Sequence, residues 1–151
     1  MESQLGFKKI LVAFDGSADS IKAVKAASTL ARCLGSELTL LHVYSVPVYT
    51  YGGPGGLPQD SIESLTSGAK ERGESALQKG LKIARDEQVE ASGETVESGS
   101  VVEAIVEYAA RKKTHLIVIG TRGMTGFKKL LLGSVSNGVV AHAPCPVLVV
   151  R

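Results

Sequence analysis

Cysteine is scarce in this chain, and the two thiols present, Cys33 and Cys145, stand far apart. That spacing excludes a disulfide scaffold or a metal knuckle, and each is read as a buried or half-buried free thiol. The three histidines, His42, His115 and His142, lack the spacing of zinc ligands and are read as structural. No apolar run approaches the ~18 residues needed to cross a bilayer. Met1-Glu2-Ser3-Gln4 lacks the basic-then-apolar layout of a signal peptide, so a cytoplasmic protein is expected. Charge of one sign is missing too: the formal net charge is +2, with basic residues scattered among acidic ones. Neither nucleic acid nor a membrane surface is therefore an expected partner. Common catalytic machinery is also absent. Gly-x-Ser-x-Gly fails because Ser134 stands two residues before Ser136 where glycine is required, and no Walker A loop occurs. Asp15 is only a distant candidate for a general base, so fast nucleotide turnover is not expected.

What the chain does contain is alternation. Ile10 to Phe14, Leu38 to Val43, Leu116 to Ile119 and Val147 to Val150 are apolar throughout, as suits parallel strands covered on both faces. Between them, Ile21, Val24, Ala27, Ala31 and Leu34 recur at helical spacing until Gly35 stops the helix. Asp60 with Glu63 reads as a capping box opening a long helix to about Gln88, weakened by Gly68, Gly73 and Gly80. Ser100 with Glu103 is a cleaner box, followed by Val102, Ile105, Val106 and Ala109 on one face. The polar stretch from Val89 to Glu97 suits an edge strand. Together these predict one doubly wound α/β domain over residues 1–151, with right-handed crossovers. Tyr49 to Pro58, rich in glycine and proline, is irregular: a connector, or a lid with Tyr49 or Tyr51 as its apolar cover.

The most informative segment is Gly120-Thr-Arg-Gly-Met-Thr-Gly-Phe-Lys-Lys-Leu-Leu-Leu-Gly-Ser-Val-Ser136. It follows an apolar run and leads into a helical segment from Ser134 to Ala141. Gly120 and Gly123 allow close backbone approach or positive φ. Gly133-Ser134 opens a helix whose unpaired N–H groups attract anions, and Ser134 reads equally as a simple N-cap. The plain reading of Arg122 is a solvated surface charge, and Lys128 and Lys129 are read as solvated too. In an open α/β sheet the ligand crevice lies beyond the strand ends where the order reverses, between Ala13 to Gly16 and Gly120 to Gly123.

Gly-x2-Gly, nine residues, then Gly-Ser resembles the phosphate-binding pattern of the ATP-binding branch of the universal stress protein family. The opening Val12-Ala13-Phe14-Asp15-Gly16-Ser17 and the ending Pro144-Cys145-Pro146-Val147-Leu148-Val149-Val150 are also similar, with Ala13 where the family usually has proline. The resemblance spans the chain. It implies a five-stranded parallel sheet of order 3-2-1-4-5, Rossmann-like and of the adenine nucleotide alpha hydrolase-like type. It further implies ATP, AMP or ADP as ligand, with Mg2+ or Mn2+. Ala13, Phe14 and Val43 would form the adenine slot, Asp15 would sit near ribose or adenine, and Ile119 and Gly120 would flank both. Arg122 and Gly123 would follow the phosphates, closed by Gly133, Ser134, Val135 and Ser136. Asp15 as a mere turn former beside Ser17 is the plainer alternative. The implied partner is a second copy, joined antiparallel through Val147 to Val150, and the implied role a nucleotide-dependent regulator or switch in a stress response. The alternatives are an interaction module of the same fold with an empty pocket, or a slow ATPase. Asp15 to Ser20 also faintly resembles the loop of the ATP pyrophosphatases, with two of that loop's residues replaced.

Overall fold

A computed structural model describes residues 6–45, 55–121 and 132–151. Strands and helices alternate: β1 (Lys9–Ala13), α1 (Ala18–Leu34), β2 (Glu37–Tyr44), α2 (Gln59–Asp86), β3 (Ala91–Glu97), α3 (Val101–Arg111), β4 (Leu116–Gly120), α4 (Ser134–His142) and β5 (Val147–Val150). The sheet has five strands in the order β3-β2-β1-β4-β5, every pair parallel. The order reverses at β1, as the resemblance implied.

Alternation of side chains along each strand sends its apolar run to two cores. Ile10, Val12, Leu38, Leu40, Leu116 and Val118 pack with Ala23, Val24, Ala27 and Ala31 of α1 and Leu77 and Ala84 of α2. Leu11, Leu41, Ile117 and Ile119 pack on the other face with Ile105, Tyr108 and Ala109 of α3 and Val139 of α4. Polar β3 lies at one edge and apolar β5 at the other. Tyr108 is buried, and its phenol pKa is raised by that burial, then by a hydrogen bond to Glu94 and by its charge.

Several local expectations hold and others change. Ser17 caps α1, and Gly35, at φ 68, ends it. Ser100 Oγ accepts the Glu103 N–H at 3.2 Å, as its capping box requires. The Asp60 box does not form: α2 starts at Gln59 behind Pro58, with no side-chain cap, because proline's extended backbone sets the helix entry first. Leu34 and Cys33 are exposed rather than buried, since the inner face of α1 is carried by its alanines. Cys145 is half-buried, and that burial raises its thiol pKa. Most of the Tyr49 to Pro58 segment lies outside the described residues.

Candidate functional site

The centre of the sheet opens at its carboxyl end. The β1–β4 register stops at Val12↔Val118, while β4 stays paired with β5 to Gly120↔Val150. On the other side, β1 and β2 separate after the Phe14 N–H donates to the Leu41 carbonyl at 2.9 Å. A crevice therefore begins beyond Ala13, where the strand order reverses. Ala13 and Val43 line it on the α3–α4 side, both half-buried against the cluster that contains Ile119. Backbone groups of an extended chain point alternately to either side. Leu41 directs its carbonyl at β1, and Tyr44 accepts from Ser98 N–H beyond β3, so Val43 aims its N–H and C=O past the end of β1. No described residue bonds either group.

Two helix N-termini meet this crevice. Before α1, Asp15 Oδ1 accepts the Ser17 N–H at 2.9 Å across Gly16, whose φ of 84 fits glycine. Ser17 Oγ then accepts the Ser20 N–H at 3.2 Å. Asp15 thus forms the turn that the plainer reading gave it, while its exposed side chain still faces solvent. Before α4, Gly133 rather than Ser134 takes the N-cap position, so no side chain caps the helix. Ser134 is the exposed first helical residue, and Val135 behind it is half-buried. The N–H groups of Ser134, Val135 and Ser136 have no backbone partner among the described residues, and no acidic residue stands in the first turn.

Thr121 holds the two helices together. Its hydroxyl donates to Asp19 Oδ2 at 2.9 Å in a buried contact. Its N–H donates to the Val150 carbonyl at 3.0 Å, and its carbonyl accepts the Gly133 N–H at 2.6 Å. Ser136 Oγ lies 3.0 Å from that carbonyl and 3.1 Å from the Gly133 carbonyl. That hydroxyl is engaged internally, and the group Ser136 offers a ligand is its backbone N–H. Asp19 also faces the Lys22 ammonium at 3.9 Å. Gly120 permits the crossing: a Cβ there would lie 2.8 Å from the Asp19 backbone carbonyl carbon and oxygen. Arg122 and Gly123 lie outside the described residues. Among the described residues no three His, Cys, Asp or Glu side chains gather into a possible metal site.

The model of the universal stress protein family matches residues 6–151. The chain belongs to the universal stress protein family. A universal stress protein of Methanocaldococcus jannaschii is 40% identical over 146 residues, covering 96% of this chain and 82% of that one. Among solved structures, UspA from Lactobacillus plantarum superposes with a TM-score of 0.81 at 24% identity, covering 96% of this chain and 98% of that one. A universal stress protein in complex with cAMP gives a TM-score of 0.70 at 25% identity, covering 97% and 98%.

In this universal stress protein the carboxyl end of the sheet brings together Ala13, Asp15, Val43, Ile119, Gly120, Gly133, Ser134, Val135 and Ser136. Phe14 brings only its backbone, because strand alternation turns its ring to the opposite core against Gly80 of α2 and away from the expected slot. Two further residues belong to the same constellation. Thr121 directly follows Gly120 inside the glycine motif, and Asp19 ends the Asp15-Gly16-Ser17-Ala18-Asp19 run. Both were legible as neighbours of motif residues, but only the chain crossing reveals their bond. His42, read as structural, also reaches this end: its Nδ1 donates to the Phe14 carbonyl at 2.9 Å. No helix of the described residues is long and apolar enough to cross a membrane.

Proposed function

We propose that this universal stress protein binds ATP in the central crevice and acts in the cytoplasm as a nucleotide-dependent regulator or switch. The observation that carries this reading is the open first turn of α4. Its N–H groups, which have no backbone partner among the described residues, and a first turn free of acidic residues offer a positive dipole end to an anion. The complex of a relative with cAMP supports an adenine nucleotide. Val43 supplies a donor and an acceptor side by side, complementary to the adenine N1 and amino group, with Ala13 and Ile119 as apolar walls. Asp15, through its second carboxylate oxygen, would accept from ribose hydroxyls. Gly120, Gly133, Ser134, Val135 and Ser136 would surround the phosphates, with Arg122 and Gly123 from the intervening loop. The described donors form no protein cage for a metal, so Mg2+ or Mn2+ would be held chiefly through phosphate oxygens.

We also propose a homodimer through β5. The strand occupies the sheet edge, and Leu148 on it is 38% exposed. Antiparallel pairing with its own copy about a two-fold axis would cover this edge. Sedimentation at micromolar concentration should give a dimer, and a monomer would contradict the pairing.

Mass spectrometry of the denatured, as-purified protein tests the nucleotide. Stoichiometric ATP, ADP or AMP is the expected result. Protein that arrives empty and takes up no added ATP would rule the reading out.

A further inference from the structure

We infer that His42 is a positioning residue for the base end of the site: it draws the Phe14 carbonyl out of the β1–β2 ladder and keeps the Val43 backbone open to a purine edge. This rests on the nucleotide reading above. In a parallel pair, the bond following Phe14 N–H to Leu41 C=O would run from Val43 N–H to Phe14 C=O. It does not form. The register stops at Ala13↔Leu41, and the Phe14 carbonyl accepts from His42 Nδ1 at 2.9 Å instead. Because a carbonyl can only accept, Nδ1 carries the proton in this contact.

The neighbouring helix is shaped to hold the ring. His42 is half-buried against α2, where Gly73 leaves the space it needs. A Cβ at Gly73 would stand 2.7 Å from His42 Cδ2 and 3.1 Å from Nε2. Glycine is disfavoured inside a helix, and its presence here follows from the imidazole filling the place of its side chain. An apolar residue at position 42 could not donate. The Phe14 carbonyl would then turn back to Val43, lengthening the ladder by one bond and removing the donor a base would use.

The test compares the full-length protein with His42→Val and His42→Asn. Valine suits a strand but donates nothing, whereas the asparagine amide nitrogen occupies roughly the place of Nδ1. In nucleotide-free protein, hydrogen exchange at the Val43 amide should be unprotected in wild type. Exchange there should be at least about tenfold slower in His42→Val. Affinity for ATP should fall about tenfold in His42→Val while tripolyphosphate, which has no base, binds unchanged. His42→Asn should restore both readouts. Gly73→Ala, which displaces the ring without removing it, should act in the same direction as His42→Val and serves if that variant folds poorly. A Val43 amide already protected in wild type would overturn the inference. Unchanged Val43 exchange and unchanged ATP affinity in His42→Val would do the same. Wild-type protein that binds no ATP would instead overturn the nucleotide reading beneath it, with the exchange comparison still reporting on the ladder.

Discussion

The N-termini of α1 and α4 open at the same end of the sheet and are joined through Thr121, yet they are built oppositely. The α1 terminus is capped by its own side chains: Asp15 takes the Ser17 N–H, Ser17 takes the Ser20 N–H, and Asp19 places a carboxylate in the first turn. The α4 terminus has a glycine cap, no carboxylate and no side-chain cap bond. Both helices carry a positive dipole end, so the dipole alone does not choose between them. The capping groups do. An anion arriving at α1 would meet two carboxylates, with the Ser17 and Ser20 N–H groups already in use, whereas at α4 it meets N–H groups with no backbone competitor among the described residues. In the proposed reading, a glycine cap on one helix and an Asp-Gly-Ser turn on the other divide the work: one end would receive phosphate while the other holds the crevice in shape.

The sharpest way to break the comparison is to make α4 resemble α1. Ser134→Asp places a carboxylate in the first turn of α4, where it stabilises the helix by about 0.3–1 kcal/mol. The same charge repels phosphate and competes for its N–H groups. ATP affinity should fall about a hundredfold, roughly 2.7 kcal/mol, while the melting temperature holds or rises. Calorimetry paired with a thermal melt reads both. Equal ATP affinity would place the phosphates elsewhere. Gly133→Val comes next. A β-branched side chain at the cap intrudes where the backbone should approach phosphate, so titration should show a loss of several tens-fold without unfolding. Gly123→Val tests the matching position in the loop and should weaken ATP in the same way.

Base selectivity is a smaller effect. Guanine presents the opposite donor and acceptor pattern to Val43, leaving buried polar groups unpaired at about 1–3 kcal/mol each. Competition should favour ATP over GTP by about tenfold or more. The smallest effect on binding belongs to α1. Ser17→Ala removes its cap and should lower unfolding free energy by about 1 kcal/mol, with ATP affinity changed less than about twofold. A large loss of binding in Ser17→Ala would show that α1 touches the ligand itself.

Much of this was legible in the chain. The apolar runs of β1, β2 and β4 announced buried parallel strands, and the polar Val89 to Glu97 stretch announced an edge, while the equally apolar Val147 to Val150 lies half-exposed at the other edge. Gly120 and Gly133 flank the point where the Gly133 N–H meets the Thr121 carbonyl. The bonds that give the site its shape were not legible, since each joins residues remote in sequence: Thr121 with Asp19, and His42 with Phe14. Gly73 and Gly80 illustrate the same limit. Read locally they weaken α2, yet in the fold they admit His42 on one turn and Leu40 and Phe14 on another. The Asp60 capping box failed for the converse reason, because Pro58 sets the start of α2 before the box can act.

Backbone amide resonances followed during an ATP titration test the division between the two helices most directly. The account predicts saturable shifts at Ser134, Val135 and Ser136 and at Val43, with Ala18 to Ser20 in α1 moving much less. Saturation with the α4 amides unmoved, shifts centred on α1, or no saturable shift at all would contradict it.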